Sequence, residues 1–264
     1  MEVNKIVRDG HIHSPYCPHG TNDGFDKYVE KALEKGLKEI SFTEHMPLPK
    51  GFIDEKIILE SSPKEEEFIK YLVELEQVKK KYGGKIKINI GTEIDYIEGL
   101  EKQTREILYK YGMNIEDSIL SVHFLKIDSK YYCIDYNKAV FNEVIEAIGS
   151  LEKLYDKYFQ TLLKSIKSDM GIFKPKRIGH STLVRIFNKE FPFEYKNREL
   201  LEEIVKEIKD RNYEIDHNTA GIRKEYCREE YPSGILMELI KKYNITEVYG
   251  SDAHRAEDVA YEFN

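Results

Sequence analysis

The sequence predicts an α/β fold in which seven β/α units form a closed parallel barrel. Strand-like and helix-like segments alternate along the 264 residues, an order typical of a parallel sheet covered by helices. The connections are short, and histidine or carboxylate side chains follow six apolar runs. Side chains from six strand ends converge more easily in a barrel than in an open doubly wound sheet, which stays the alternative. We expect one domain over residues 1–264.

The strand predictions depend on short apolar runs bounded by polar clusters. Several of these runs end at or just before a histidine. Residues 130–135 look like a hairpin arm after the fourth strand rather than a strand of the barrel. The seven predicted strands are 5–13, 39–44, 85–94, 118–124, 177–180, 213–218 and 247–251.

Helices are predicted between these strands because apolar residues recur there at helical spacing. Gly36 is expected to end the first helix, and Ser62 with Pro63 to begin the second. The helical segments are 28–33, 68–75, the long region 138–167, and 201–208.

Composition narrows the class of protein. Hydrophobic residues make up 41% of the chain, enough to form a core. No stretch approaches the roughly 20 apolar residues that cross a bilayer, and the first five residues lack the apolar segment of a signal peptide. Three widely spaced cysteines, Cys17, Cys133 and Cys227, suit a reducing compartment without disulfides. We therefore expect a cytoplasmic protein with no membrane partner.

The formal charge of −7 argues weakly against a nucleic-acid partner, because such proteins usually carry a basic excess. The count omits bound metal ions, however. Three divalent ions would contribute +6 and leave about −1 overall, with a locally positive cleft. An acidic chain of this kind can still attract a small phosphorylated substrate.

The placement of histidines indicates a metal centre. His11 and His13 are two residues apart on a strand, so their side chains point to the same side. Asp252 and His254 repeat that spacing after the last strand, and Glu93 follows an apolar run where a carboxylate can bridge two cations. A single histidine at a strand end is usually a hydrogen-bonded structural residue. Six strand ends with such residues favour a multinuclear metal site at the mouth of the barrel.

Seven polar motifs occur in a fixed order along nearly the whole chain. They are DGHIHSPYCPHG at 9–20, FTEH at 42–45, GTEIDY at 91–96, SVHF at 121–124, IGH at 178–180, NTAGIRK at 218–224 and GSDAH at 250–254. With this ordered set the sequence resembles the PHP (polymerase and histidinol phosphatase) superfamily, and within it the monofunctional histidinol-phosphatase branch. The order of the motifs is highly specific. The resemblance implies a distorted (β/α)7 barrel of the PHP type.

The resemblance also implies a trinuclear ligand set. One ion would be held by His11, His13, Glu93 and Asp252, and a second by the bridging Glu93 with His123 and His180. A third would be held by His19, His45 and His254. His19 follows from the resemblance alone, since its Pro-His-Gly setting would otherwise indicate a turn histidine. Zinc, iron and manganese all suit imidazole and carboxylate ligands.

Other polar residues receive weaker assignments. Arg185 and Arg223 resemble arginines that hold phosphate in this branch, and a guanidinium can bind phosphate through two hydrogen bonds. Lys224 and Arg255 are weaker candidates for the same role. His217 stands where the family usually has an apolar residue, so a structural role, or support of a ligand from behind, is favoured over substrate contact. Cys17 lies in the ligand loop and is interpreted as structural.

The predicted activity is metal-dependent hydrolysis of a phosphomonoester, with Glu93, Asp252 and His254 as catalytic residues. The family resemblance names L-histidinol phosphate, an intermediate of histidine biosynthesis, as the substrate. One alternative is a PHP-type phosphoesterase that acts on nucleotides or nucleic-acid ends, which the acidic charge disfavours. Another is a non-catalytic metal-binding scaffold subunit, which the full ligand set disfavours. The sequence leaves the oligomeric state open.

Overall fold

The computed structural model describes residues 5–263, which contain nine strands and nine α-helices. The predicted domain also includes residues 1–4 and 264, which lie outside the described residues. The strands are β1 Arg8–Ile12, β2 Glu39–His45, β3 Lys87–Asp95, β4 Asp117–Ser121, β5 Phe124–Ile127, β6 Lys130–Cys133, β7 Arg177–Ile178, β8 Glu214–Asn218 and β9 Glu247–Gly250.

The helices lie mainly between consecutive strands of the barrel. Within residues 5–263 no helix has the length and apolar character that a membrane span requires. The helices are α1 Phe25–Glu34, α2 Glu55–Ser61, α3 Glu65–Lys81, α4 Glu101–Tyr111, α5 Lys138–Ile148, α6 Leu151–Lys167, α7 Arg198–Asp210, α8 Ala220–Arg223 and α9 Gly234–Lys242.

Seven parallel strands form one sheet in the order β1-β2-β3-β4-β7-β8-β9. The two outer strands approach each other: Ile12 forms a parallel bridge with Ala253, and the Asp252 amide donates to the His11 carbonyl at 2.7 Å. The sheet is therefore nearly closed. The predicted seven-stranded α/β barrel is confirmed, and the open-sheet alternative is not.

Burial follows the hydrophobic pattern of the sequence. Strands β2 and β3 are buried almost throughout, as expected for strands with helices on the outside and side chains inside. The amphipathic helix α7 turns Leu201, Ile204, Val205 and Ile208 to the core while its charged residues face outward. One main core therefore lies between the sheet and the helices.

The fourth predicted strand, 118–124, extends beyond the end of the strand in the structure. β4 ends at Ser121, and Phe124 begins β5, which pairs with β6 in an antiparallel hairpin. The apolar run 118–124 continues through this change of direction, because Phe124 is buried in a second, smaller hydrophobic cluster. The predicted hairpin arm at 130–135 is confirmed as β6.

Two helix predictions were also wrong in detail. The region 138–167 is two helices, because Gly149 adopts φ = 96° and ends α5, and the Ser150 side chain then accepts from the Lys153 amide to begin α6. Ser62 ends α2 instead of starting α3. The next helix begins at Glu65, and Glu67 accepts a hydrogen bond from the Lys64 amide.

Candidate metal centre

The predicted metal ligands meet at the carboxyl-end mouth of the barrel. Parallel strands place the residues that follow them at one end of the sheet, and all but one of these side chains use that position. The exception is His19, which lies in the loop between β1 and α1. The nine side chains are His11, His13, His19, His45, Glu93, His123, His180, Asp252 and His254.

Two glycines of the motifs allow this close approach. A Cβ at Gly250 would lie 2.3 Å from Asp216 Oδ1 and 2.5 Å from the Cβ of His11. A Cβ at Gly179 would lie 2.1 Å from the Ser121 hydroxyl. Asp252 adopts φ = 52°, a conformation that aspartate tolerates better than most side chains. The motifs therefore specify backbone geometry as well as ligand atoms.

The first group of ligands surrounds Oε2 of Glu93. His11 Nε2 lies 3.7 Å from this oxygen and His13 Nε2 lies 3.6 Å from it. The carboxylate of Asp252 faces the same rings, with Oδ1 3.8 Å from His11 Nε2 and 3.2 Å from His13 Nε2. These four residues are the set predicted for the first ion.

The second group shares Glu93 through its other oxygen. His180 Nε2 lies 2.9 Å from Glu93 Oε1, and His123 Nε2 lies 3.9 Å from it. The hydroxyl of Ser121 donates to the same oxygen at 2.5 Å. Glu93 thus presents one oxygen to each group, as a carboxylate that bridges two cations must.

The third group lies on the outer side of His13. The rings of His19 and His254 bring their Nε2 atoms within 3.0 Å of each other, and the His45 ring centroid is 5.1 Å from that of His19. Ligand atoms of His13, Cys17, His45 and His254 also lie within 4.8 Å of one another. Burial raises the pKa of the Cys17 thiol to about 11, so this sulfur is protonated at neutral pH.

The ligand atoms are arranged to bind metal ions rather than to form hydrogen bonds with one another. His11 Nε2, His13 Nε2 and His45 Nε2 are buried and have no hydrogen-bond partner. A metal ion binds such nitrogens and carboxylate oxygens at about 2.0–2.2 Å, so two ligands of one tetrahedral ion lie roughly 3.3–3.6 Å apart. Most of the nitrogen–oxygen separations around Glu93 fall near this spacing.

The pKa values of the histidines differ between the ligands near Glu93 and those of the third group. Burial opposes a charge on His11, but Asp216, Asp252 and Glu93 outweigh it and raise the His11 pKa to about 10. The third group has too few carboxylates to do this. Burial and the nearby His13 hold the pKa values of His45 and His254 well below the usual range. These neutral imidazoles keep the lone pair that binds a metal.

Two carboxylates that were not among the predicted site residues orient two of the histidine rings. Asp216 Oδ2 lies 2.8 Å from His11 Nδ1, and Asp95 Oδ1 lies 2.7 Å from His123 Nδ1. Such partners fix which ring nitrogen faces the metal. Strand alternation was the available signal, since Asp95 is two residues after Glu93 and shares its face.

The structure does not bring the two predicted phosphate-binding arginines into the cavity beside the metal ligands. Arg185 pairs with Glu229 and donates to the Phe193 carbonyl at 3.1 Å. Arg223 donates to the carbonyls of Ser251 and Asp252 at 2.7 and 2.6 Å. Arg223 therefore supports the loop that carries Asp252.

His217 points away from the ligands. The side chains of Asp216 and Asn218 lie beside His11, whereas the ring of His217 stacks on Tyr249 with ring centroids 4.2 Å apart. It lies between Glu247 and Glu230, at 2.6 and 3.1 Å. Burial lowers its pKa, but the two carboxylates outweigh this and raise the pKa to about 9. These contacts are those of a structural ion pair.

A cavity of about 520 Å³ opens above the ligands. It is large enough for one small molecule. Its wall includes metal-ligand candidates, apolar side chains and a few charged residues from the connecting segments. The charged residues among them that are not predicted ligands are Glu60, Asp95, Asp135 and Lys224.

A parallel α/β barrel with histidines and carboxylates gathered at its carboxyl-end mouth is typical of metal-dependent enzymes. The PHP domain family matches residues 9–220. Because this is well over half of the sequence, the chain belongs to the PHP family.

Individual relatives narrow the family further. The chain is 43% identical over 258 residues to the histidinol-phosphatase of Bacillus subtilis (strain 168), covering 97% of this chain and 96% of that protein. A crystal structure assigned as a histidinol phosphatase from Listeria monocytogenes superimposes with a TM-score of 0.91 at 35% identity, over 97% and 98% of the two chains.

A more distant structure shares the fold. It is the histidinol phosphate phosphatase of Lactococcus lactis subsp. lactis, solved with zinc, L-histidinol and phosphate. The TM-score is 0.67 at 20% identity, over 95% of this chain and 87% of that one.

Proposed function

We propose that this protein is a histidinol-phosphatase, a metal-dependent phosphoric monoester hydrolase that converts L-histidinol phosphate to L-histidinol and phosphate. The observation that carries the proposal is the ligand cluster around Glu93 at the floor of a cavity suited to one small molecule. The relationship to the Bacillus enzyme over almost the full length of both chains supports the same substrate. We treat residues 1–264 as one catalytic domain.

We assign three metal ions to the centre, drawn from zinc, iron and manganese. His11, His13, Glu93 and Asp252 would hold the first, and Glu93 would share the second with His123 and His180. The support for the first ion is the buried, unpartnered Nε2 atoms of His11 and His13 and their spacing from Glu93 Oε2. The support for the second is the approach of His180 and His123 to Glu93 Oε1.

The third ion is assigned to His19, His45 and His254. The support is their close approach and the neutral state of His45 and His254. When bound, ions of this kind polarise phosphoryl oxygens and lower the pKa of coordinated water.

The chain itself supplies charge and orientation. Glu93 and Asp252 stay ionised, because the surrounding imidazoles outweigh the effect of burial and hold their pKa values well below the usual range. Asp216 and Asp95 fix the rings of His11 and His123 by hydrogen bonds. We assign catalytic roles to Glu93 and Asp252 because they carry the negative charge at the reacting end.

His254 is the third residue assigned to catalysis. It lies beside Asp252, with Nδ1 3.4 Å from Asp252 Oδ1, and it is partly exposed on the cavity wall. Its Nε2 lies 3.0 Å from that of His19, and we assign it to catalysis as a neutral metal ligand on the cavity wall.

Phosphate binding is assigned to Arg185 and Arg223, and this assignment requires a rearrangement. Arg185 would exchange Glu229 for phosphate, and Arg223 would reach the substrate from the loop whose carbonyls it now holds. Lys224 already lines the cavity and is not ion-paired in the part of the chain that the structure describes. It is the cation best placed to attract the phosphate first.

The decisive experiment compares substrates on one purified preparation with measured metal content. Phosphate release from L-histidinol phosphate should exceed that from AMP by at least about tenfold in kcat/KM, and a single-stranded DNA 3′ end should not be processed. Efficient hydrolysis of the nucleotide or the DNA would instead support a nucleic-acid role. A metal-loaded protein that releases no phosphate from any substrate would support the scaffold alternative.

A further inference from the structure

One carboxylate on the cavity wall has no part in the proposed metal centre. Asp135 lines the cavity with a half-buried side chain, and no Lys or Arg within residues 5–263 forms an ion pair with it. Its polar neighbours are the Cys133 thiol, 3.2 Å from Oδ1, and His123 Nε2, 4.0 Å from Oδ2. A carboxylate in a binding cavity with no Lys or Arg partner is suited to a cationic group of the ligand.

The backbone around Asp135 is well fixed. The Ile134 amide donates to the His123 carbonyl at 2.9 Å, and the side chain of Asn137 accepts from the Val140 amide at the start of α5. The hydroxyl of Tyr136 bonds to Glu60 on the opposite segment. Asp135 is therefore held at a set position beside His123 by contacts on both sides.

Charge is distributed unevenly around the cavity. Asp135 lies on the His123 side, with Oδ2 4.0 Å from His123 Nε2. Lys224 lines the same cavity from a different segment, directly after α8. A ligand with a negative group and a positive group would fit this arrangement in one orientation.

Apolar side chains line the same cavity. Phe124 is buried and belongs to the small hydrophobic cluster that includes Cys133 and Tyr136. Leu183 and Ile186 line the cavity as well. Such a wall suits a short carbon chain with a flat ring.

We infer that Asp135 binds the ammonium group of an amino-alcohol phosphate and thereby selects this class of substrate over phosphomonoesters that lack an amine. The inference rests on the proposed function and goes beyond it by naming the residue that recognises the ammonium group. L-Histidinol phosphate has the required chemistry: a phosphate ester, an ammonium group on the next carbon, and an imidazole. A nucleoside monophosphate has no aliphatic ammonium group.

The test is a comparison of two substrates on the metal-loaded enzyme. The second substrate is 3-(imidazol-4-yl)propyl phosphate, which differs from L-histidinol phosphate only in lacking the amine. Asp135→Asn should lower kcat/KM for L-histidinol phosphate by about 10- to 100-fold, mainly through KM, because a charge-assisted hydrogen bond is lost. It should change kcat/KM for the amine-free substrate by less than about threefold.

Two further variants separate this role from others. Asp135→Glu keeps the charge and should recover part of the preference for the amine. Asp128→Asn, at the exposed turn of the neighbouring hairpin, should leave both substrates unaffected. Metal content of Asp135→Asn should equal that of the wild type.

The contrary outcomes are distinct. If Asp135→Asn loses metal, or loses kcat equally on both substrates, the residue serves the metal centre or the chemistry and the inference is wrong. If Asp135→Asn keeps the wild-type preference for the amine, the ammonium group is bound elsewhere. Failure of the wild type to hydrolyse L-histidinol phosphate would instead refute the proposed function itself.

Discussion

The two ends of the barrel carry charged and polar side chains in opposite ways. At the amino end, opposite charges are paired: Asp117 Oδ2 lies 2.8 Å from Arg8 and 2.9 Å from the buried Arg177, and Arg8 also pairs with Glu39. At the carboxyl end, seven imidazoles surround two carboxylates, and several ring nitrogens have no hydrogen-bond partner. The charges at the amino end neutralise one another within the protein, although Nε and Nη1 of Arg177 have no hydrogen-bond partner, whereas the imidazole cluster at the carboxyl end is suited to bound cations.

The same strands supply both ends. β2 begins at Glu39 and ends at His45, and β7 begins at Arg177, three residues before His180. Unpartnered buried groups cost stability, and they persist where function requires them. The contrast therefore separates residues that hold the barrel together from residues kept for chemistry, and substitutions at either end should test it.

The largest effect is expected from Glu93→Gln. This change removes the negative charge that faces both ligand groups, so the metal ions lose several kcal/mol of stabilisation at the reacting centre. We expect kcat to fall on the order of 10³-fold or more, with less metal bound and an unchanged circular-dichroism spectrum. Steady-state kinetics and elemental analysis measure both effects.

A matched control lies at the other end of the barrel. Glu39→Gln is the same chemical change at the start of a neighbouring strand, and it should leave kcat and metal content unchanged. Activity near the wild-type level in Glu93→Gln would contradict the bridging role.

The fold was largely predictable because the hydrophobic pattern sets it locally. Apolar runs located all seven barrel strands, and the chain direction of parallel strands then placed His45, Glu93 and Asp252 at one mouth. The sequence did not show that β4 stops at Ser121, because the apolar run continues into a hairpin with its own hydrophobic cluster.

The site was less predictable than the fold. Asp135 comes from a connecting segment, whose path depends on tertiary contacts and not on periodicity, and Lys224 was predicted only as a weaker phosphate-binding candidate. The partners of Arg185 and Arg223 could not be read from the sequence either, since Glu229 and the Ser251 carbonyl approach them only in the folded chain.

Arg185 and Arg223 could belong either to the residues that bind substrate or to those that stabilise the fold. If Arg185 and Arg223 bind phosphate, alanine at either position should lower kcat/KM by about 10- to 150-fold, with weaker competitive inhibition by inorganic phosphate and unchanged metal content. If they only support structure, as their present partners allow, phosphate inhibition should stay near wild type while the melting temperature falls, and Arg223→Ala should also bind less metal because it loosens the loop that carries Asp252. Arg211→Ala, at a solvent-exposed arginine after α7 that does not line the cavity, is the control.

A smaller loss of metal affinity and activity is expected at Asp216, which contacts the ligand His11. Asp216→Asn keeps the shape of the side chain but removes the charge that orients His11 and raises its pKa. Loss of such a supporting carboxylate typically costs about 10- to 100-fold in metal affinity or activity. Metal titration and kinetics should both show the change.

The adjacent residue provides the control for Asp216. His217→Gln, on the opposite face of the same strand, should leave metal affinity unchanged, because its partners are Glu230 and Glu247. Equal effects of the two substitutions would mean that the ligand face and the outer face are not separable.

The smallest effect on activity, with a clear effect on stability, is expected at the amino end. Asp117→Asn leaves the buried Arg177 without its anionic partner. Breaking a buried pair in this way typically costs about 3–5 kcal/mol, and part of that cost is relieved because Arg8 is partly exposed and Arg177 keeps the Gly10 carbonyl. Urea unfolding should show the loss, while kcat and metal content stay within about twofold of wild type.

The pH dependence of stability gives the same pair an independent test. Burial would raise the pKa of Asp117, but Arg177 and Arg8 outweigh burial and hold the pKa below its ordinary value. A carboxyl with a lowered pKa in the folded state stabilises the protein fully above its unfolded pKa of about 3.9, and this contribution is lost as the pH falls through the folded value. Wild-type stability should therefore decline more steeply below about pH 4 than that of Asp117→Asn. Parallel acid-unfolding curves for the two proteins would show that the pair contributes nothing, and the amino end would then be held by apolar packing alone.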